Sequence, residues 1–357
     1  MKIDMHFHSK LSDGRKTSAE IIKIAKDKNM DFIACTDHDI INSDFPALAE
    51  KEGIRSCEAV EISGFDSRYN QHLHLTCYSR HFSRGAKGII EGDGNNIYQK
   101  LDSSREGRQQ KARKQIQLLK SNGFDINEDE FFAFFKKRGI NHENVNSSHI
   151  SNYIFAIPGN ISHIKKLTGE DMDRVKFLQE CLKDEGRFHQ IGAITVPEYE
   201  PTLEICGNLA KDNDAILSLA HPNFKITMDT FKQRIGYYLN CGINAVEINA
   251  KATKEWVNLI LEYQKEYKYL ITFGSDSHFR KNDDKEHGEF GIMNPYMDES
   301  ALDLHIYYVQ KKLGLINPIS IPKSFGMDLG DDILEYSRMR QDQNDVLQLA
   351  GMNNFQQ

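Results

Sequence analysis

Apolar runs of strand length alternate with amphipathic stretches of helical period near the start of the chain and again after residue 200, and a long charged stretch separates the two. Residues 2–8 read as a first strand, followed by a polar loop through Ser12, Asp13, Gly14 and Arg15. Thr17 and Glu20 then form a capping-box signature, with Ile21, Ile24 and Ala25 as the apolar stripe of a helix. A second apolar run covers residues 30–36. Residues 43–52, stopped by Gly53, predict a second helix. A third strand ends in Val60, Glu61, Ile62 and Ser63, and a fourth covers residues 72–78. Strand, helix and strand in close succession follow βαβ logic, which pairs strands in parallel and gathers functional residues at their C-terminal ends.

The texture changes from about Gly85. Residues 96–121 are charged and helical in pattern, with Arg105, Arg108, Lys111, Arg113 and Lys114 crowded together. Residues 127–137 predict a short helix whose Phe131, Phe132, Phe134 and Phe135 supply a packed face. Residues 144–155, which include His149, and residues 170–184 continue the helical texture. The strand-helix rhythm resumes at Pro201, read as a first helical residue. Strands are expected at 215–220, 244–248 and 269–273, and helix again after Gly291. The division predicted is a barrel from 1–84 and 201–298, a helical insertion acting as a cap over 85–200, and a helical extension over 299–357. The Gln- and Asn-rich end of that extension, beyond Gln341, is expected to be frayed.

Composition narrows the function classes. A net charge of -7 gives no global basic field of the kind that nucleic-acid binders carry, though a local basic groove is still compatible with it. Mean hydropathy is -0.57, and no run reaches transmembrane length. His6, His8 and Asp13 interrupt any apolar leader, and six cysteines without Cys-x-x-Cys spacing suit reduced, buried positions. The expectation is a cytoplasmic protein with no membrane association and no evident protein partner.

The strand ends change the picture most. His6 and His8 lie two residues apart on an extended segment and so share a face. A lone pair of this kind is usually chance or a satisfied core histidine. Here the other strand ends repeat it with Asp13, His38, Glu61, His74, His221, Asp276 and His278. Imidazole and carboxylate without thiolate suit two or three divalent ions, Mn²⁺ foremost, with Zn²⁺ or Fe²⁺ as alternatives. Several ions sharing a carboxylate are a device for hydrolysing phosphate esters, in which a metal-bound hydroxide attacks phosphorus.

With those residues in view, the chain resembles the polymerase and histidinol phosphatase (PHP) family of metal-dependent phosphoesterases. The matching elements are Asp4, His6, His8 and Ser9; Ser12, Asp13 and Gly14; Thr36, Asp37, His38 and Asp39; Glu61 to Ser63; His74 and Leu75; Ala220, His221 and Pro222; and Gly274, Ser275, Asp276 and His278. They cover about residues 1–82 and 205–280. The resemblance implies an α/β fold, a distorted (βα)₇ barrel carrying a helical insertion. It also implies a first ion on His6, His8, Glu61 and Asp276, with Glu61 bridging to a second on His74 and His221. Asp13, His38 and His278 would hold a third, and Glu61, Asp13 and Asp276 would hold the attacking hydroxide. Asp4, Asp37 and Asp39 would orient ligands.

The nearest subgroup acts on nucleotides or RNA 5′ ends and has an arginine-rich helix followed by a Ser-Arg-x-His-like element. Arg108, Arg113 and Ser147 to His149 stand in comparable places, although Ser148 replaces the arginine; the family glycines are Ala59 and Cys77. Arg113, Lys114, His149 and Glu247 are therefore substrate-contact candidates. Each has a plainer alternative: a solvated helix face for the cations, a helix cap for His149, a ligand support or ordinary strand end for Glu247. His81, His142, His163, His189, His287 and His305 read as solvated or structural. The function implied is hydrolysis of a phosphate ester of a nucleotide or oligonucleotide end, as in a nucleoside bisphosphate phosphatase or an exonuclease. The alternatives are a small-metabolite phosphatase of the histidinol-phosphate type and a non-catalytic binding or scaffold module.

Overall fold

A computed structural model describes residues 1–80, 82, 97–139, 145–183, 185–194, 200–280 and 287–316. His81, His142 and the tail beyond Gln341 lie outside the described residues. The described chain forms two compact units. One comprises Met1–Ser9, Gly14–Lys100 and the residues from Pro201 onward; the other comprises Lys10–Asp13 and Leu101–Glu200.

The first unit is mixed α/β. Strands β1 (Ile3–Asp4), β2 (Phe32–Ile33) and β3 (Arg55–Ser56) form a parallel three-stranded sheet in that order. A second sheet runs β4 (Glu58–Asp66), β5 (Gln71–Ser79), β6 (Ile216–Leu219), β7 (Ala245–Asn249) and β8 (Leu270–Gly274). Its last three strands are parallel, but β4, β5 and β6 pair antiparallel. The expectation of parallel strands fails between β4 and β5 because residues 67–70 are too short a link for a parallel crossover. They close a hairpin instead, with Asn70 at a positive φ of 51°.

Isolated bridges join the edges of the two sheets. Met5 N–H donates to Phe273 O (2.9 Å) and Phe7 bridges Ser277, while His38 bridges Glu61 and Asp39 N–H donates to Glu61 O (2.8 Å). Among the described residues the strands thus form two bridged sheets and no continuous closed barrel.

Helices cover these sheets for reasons legible locally. Ser18–Asp27 starts on the Thr17/Glu20 capping box and buries Ile21, Ile22 and Ala25. Phe7, Ile33, Phe45 and Phe290 pack with them in one apolar cluster. Leu203–Asp212 starts at the N-cap Thr202, so Pro201 lies just outside the helix; its carbonyl accepts from Phe65 N–H at 2.9 Å. Met228–Asn240, Lys254–Tyr267 and Glu299–Lys312 are capped by Thr227, Thr253 and Asp298.

The second unit is helical: Ile97–Ser121 from Leu101 onward, Glu128–Lys136, Ser147–Phe155, Pro158–Thr168 and Arg174–Cys181. Phe131 and Phe135 join Ile116, Leu119, Ile150 and Phe177 in its core, with Phe132 and Phe134 partly buried against it. Pro158–Thr168 went unanticipated although proline opens it and Gly169, at φ 75°, closes it. Among the described residues no helix is long and apolar enough to cross a membrane.

Candidate metal centre

The loops leaving β1, β2, β6 and β8 are held by carboxylates and close backbone contacts. Asp4 accepts from His6 N–H (3.2 Å), Ser275 N–H (3.1 Å), Ser275 Oγ (2.6 Å) and Gly291 N–H (2.8 Å). Burial pushes its carboxyl up to about 6 against the lowering effect of those donors. Asp37 accepts from Ser9 N–H (2.8 Å) and Ser9 Oγ (2.6 Å), and Asp39 from Ser63 N–H (2.8 Å) and Oγ (3.0 Å). All three thus fix the backbone at the strand ends.

A Cβ on Gly14 would lie 2.1 Å from His8 O, and one on Gly274 would lie 2.1 Å from His6 Cβ, so neither site admits a side chain. Asp39, His221, Asp276 and Phe279 adopt positive φ of 49°, 29°, 57° and 53°. Such backbone is costly for non-glycine residues and concentrates where geometry is being enforced.

The side chains so presented converge on Glu61, which is buried in the middle of β4. Its Oε2 lies 3.4 Å from His6 Nε2, 3.2 Å from His8 Nε2 and 3.0 Å from His38 Nδ1. Its Oε1 faces the other way, 2.7 Å from His74 Nδ1 and 3.1 Å from His221 Nε2. Asp276 Oδ1 approaches His8 Nε2 at 3.1 Å and His6 Nε2 at 3.5 Å. The ring of His8 stacks between His38 (centroids 4.5 Å apart) and His278 (4.3 Å).

These donors fit divalent ions. His6, His8, Glu61 and Asp276 form one group whose ligand atoms lie within 4.8 Å of one another, and His38, Glu61 and His74 form a second. His6 Nε2 and Glu61 Oε2 are buried yet make no hydrogen bond, an arrangement expensive unless a cation sits among them. Burial would protonate Glu61, but His38, His74 and His6 outweigh it and hold the carboxyl well below its ordinary value. Asp276 is likewise held well below, by His6, His287, His8 and His278 against its burial. Burial disfavours charge on His6, yet Glu247, Glu61 and Asp276 raise it well above the usual imidazole value, so ions entering here displace protons. No thiolate joins the set: burial and Asp37 keep the Cys35 thiol well above its normal range.

Glu247, offered as a substrate contact with ligand support as the alternative, lies against His6. It is fully buried in β7, with Oε2 2.6 Å from His6 Nδ1 and Oε1 accepting from Asn249 Nδ2 at 3.1 Å. That bond fixes which His6 nitrogen faces Glu61. His149 takes the capping position that was its plainer alternative. It is buried in the second unit, where its Nδ1 lies 2.9 Å from Asn146 Oδ1 in a capping box and its ring meets Phe135 edge-on at 5.0 Å. Arg113 pairs with Glu128 and lies 4.7 Å from the Phe132 ring centroid, while Lys114 is exposed.

Asp13 falls in the short segment grouped with the second unit. There its charge and that of Glu200 act on Arg108, whose guanidinium burial holds below its ordinary value. His72 is half-buried against Phe65, at 5.2 Å between centroids.

The structure adds two residues that motif reasoning passed over. His287 Nε2 lies 3.8 Å from Asp276 Oδ2 and its ring 4.2 Å from that of His278; with them it forms a further possible ligand group. Lys225 Nζ lies 3.3 Å from His74 Nε2, and burial together with that ammonium lowers His74 to about 4. His287 sits in a loop and Lys225 ends the short helix Pro222–Lys225, neither with a spacing signal; only their distance past a strand-end histidine hints at them.

The chain is similar to several known proteins. A 3′,5′-nucleoside bisphosphate phosphatase of Chromobacterium violaceum is 35% identical over 95 residues, covering 25% of this chain and 33% of that protein. The match therefore spans about a third of the relative's length. A Chromobacterium violaceum structure described as an amidohydrolase, with bound sulfate and no metal, superposes with a TM-score of 0.60 at 21% identity, covering 78% of this chain and 88% of the other. A Bifidobacterium adolescentis structure provisionally described as a metal-dependent phosphoesterase gives 0.62 at 16% identity, covering 87% and 96%. The two structures establish a shared fold class. No family model matches the chain.

Proposed function

We propose that the protein is a metal-dependent phosphoesterase of PHP type that hydrolyses phosphate esters of nucleotides. The observation that carries this reading is Glu61, one carboxylate oxygen of which faces His6, His8 and His38 while the other faces His74 and His221. A carboxylate shared by two histidine groups is the arrangement a multi-ion centre needs, and the bisphosphate phosphatase relative supports the substrate class. On this reading the two bridged sheets are a distorted (βα)₇ barrel, residues 85–200 a cap, and residues 299–357 an extension.

His6, His8, Glu61 and Asp276 would hold one ion and Glu61, His74 and His221 a second. A third would take His8, His38 and His278, together with Asp13 by the sequence match. Divalent ions held there would supply Lewis-acid activation of water and neutralise phosphoryl oxygens. The chain's own groups do the rest. Glu247 orients His6, and Asp4, Asp37 and Asp39 hold the strand-end loops. The Lys225 ammonium beside His74 offers positive charge to a phosphate at that edge.

The test is a Mn²⁺-supplemented hydrolysis panel with chelator controls, comparing AMP, a nucleoside 3′,5′-bisphosphate, histidinol phosphate and a short 5′-phosphorylated RNA. Chelator-sensitive turnover of the bisphosphate or the RNA is expected. Turnover confined to histidinol phosphate moves the enzyme to small metabolites, and silence on all four with metal bound overturns the nucleotide reading.

A further inference from the structure

The turn that follows β6 is tightly built, yet it carries an aromatic ring that is open to solvent. His221 takes a positive φ of 29°, and Pro222 then starts the short helix Pro222–Lys225. Phe224 N–H donates to His221 O (2.9 Å) and Ile226 N–H to Pro222 O (3.0 Å), with the Ile226 side chain buried. From β5, Gln71 Nε2 donates to Lys225 O at 2.9 Å, and Arg234 Nη1 in turn donates to Gln71 Oε1 at 2.7 Å. The backbone around Phe224 is thus pinned from both sides, while the residue itself is 47% exposed. A phenylalanine left in water lacks the burial that aromatic rings ordinarily gain on folding. Of the large apolar side chains exposed among the described residues, it alone lies within one helical turn of a histidine that faces Glu61.

We infer that Phe224 is a stacking platform for the nucleobase of the substrate and selects phosphate esters that carry a flat aromatic ring over plain sugar phosphates. The inference rests on the phosphoesterase reading and deepens it, since it names a residue that determines specificity. Its place comes from three observations. The Phe224 ring lies 6.0 Å from the His221 ring, centroid to centroid, and so borders the histidine pair that Glu61 Oε1 faces. Lys225, the next residue, brings its ammonium to 3.3 Å from His74 Nε2. A nucleotide, which joins an anionic phosphate to a flat ring through one sugar, matches that pairing of ammonium and aromatic face. The hydrogen-bonded turn also holds the platform in place before substrate arrives, which reduces the ordering cost of binding. Every base presents a π face, so the platform tolerates a change of base and discriminates against a substrate that has none.

The experiment uses the full chain loaded with Mn²⁺ and the variants Phe224→Ala and Phe224→Trp, with circular dichroism to confirm the fold. Two readouts compare ligands that differ only in the base. First, calorimetry measures binding of the phosphonate isosteres of AMP and of ribose 5-phosphate, whose C–P bond is not hydrolysed. The wild type is expected to bind the AMP isostere about tenfold more tightly than the ribose isostere, and Phe224→Ala to lose that preference. Second, the ratio of kcat/KM for AMP to kcat/KM for ribose 5-phosphate is expected to fall about tenfold in Phe224→Ala, chiefly through KM, and to be retained in Phe224→Trp. Equal binding of the two isosteres by the wild type, or an unchanged ratio in Phe224→Ala, overturns the inference, while chelator-sensitive turnover would leave the phosphoesterase reading standing. A loss shared by Phe224→Trp assigns the residue to packing and overturns it too. Base-dependent binding that Phe224→Ala abolishes, without turnover of either ester, keeps the platform and overturns the phosphoesterase reading instead.

Discussion

His6 and His149 are both buried histidines on well-formed backbone, yet they are engaged in opposite ways. His149 spends its Nδ1 on the Asn146 cap and meets Phe135 with its ring, both within its own helical unit. His6 has Nδ1 fixed by Glu247 and Nε2 turned toward two carboxylates without a hydrogen bond. The first is what a stable helix start needs; the second leaves a buried group waiting for a cation. Burial and residue type are the same in both. What separates the two is the company of the ring: a helix cap and an aromatic for His149, three carboxylates for His6.

The contrast breaks most sharply at Glu61. Glu61→Gln should lower kcat by roughly 10³-fold or more and reduce the metal content read by elemental analysis, with the circular dichroism spectrum retained. Full metal loading and activity would remove the carboxylate from its shared role. Glu247→Gln tests the support one step out: metal affinity by competition with a chelator should fall about 10- to 100-fold, with the fold unchanged.

His305 offers a third kind of buried histidine, lowered to about 4 by burial alone. Its folded value lies below the ordinary 6.5, so between the two the unfolded chain binds more protons. Its contribution is fully present above about 6.5 and is lost as pH falls toward 4, by at most about 3 kcal/mol. His305→Gln should flatten that part of the stability-pH curve in urea titrations; an unchanged slope would mean that the ring is already charged in the native state. The smallest effect belongs to Arg113→Ala. With the guanidinium half-exposed, about 1 kcal/mol of stability and less than twofold in bisphosphate KM are expected. A tenfold rise in KM would return the helical unit to substrate binding.

Much of the site was legible because strand ends concentrate donors and each donor had a fixed offset from an apolar run. His6, His8, Glu61 and Asp276 come together as the sequence suggested. Glu247 stayed ambiguous because an inward-facing strand carboxylate looks the same whether it meets substrate or a histidine. His287 was unreadable for a different reason: nothing in its local sequence says that the loop turns back to His278. The β4–β5 hairpin was hidden by the βα rhythm around it, though the brevity of the link at 67–70 held the clue. Arg113 could not be settled from sequence because a cation-rich helix face gives no sign of which partners its own unit supplies.

The bridge between Phe7 and Ser277 also constrains the order in which the molecule can be made. On a ribosome the first strand emerges long before the segment that covers its outer edge, and until then that edge and two histidines stay open to solvent and to other chains. Asp4 likewise waits for Ser275 and Gly291. The centre therefore cannot mature during early synthesis, and metal supplied to a nascent chain would meet only scattered donors. On the metal-dependent reading, productive loading would be a late event, after the strand ending at Gly274 has closed against the first.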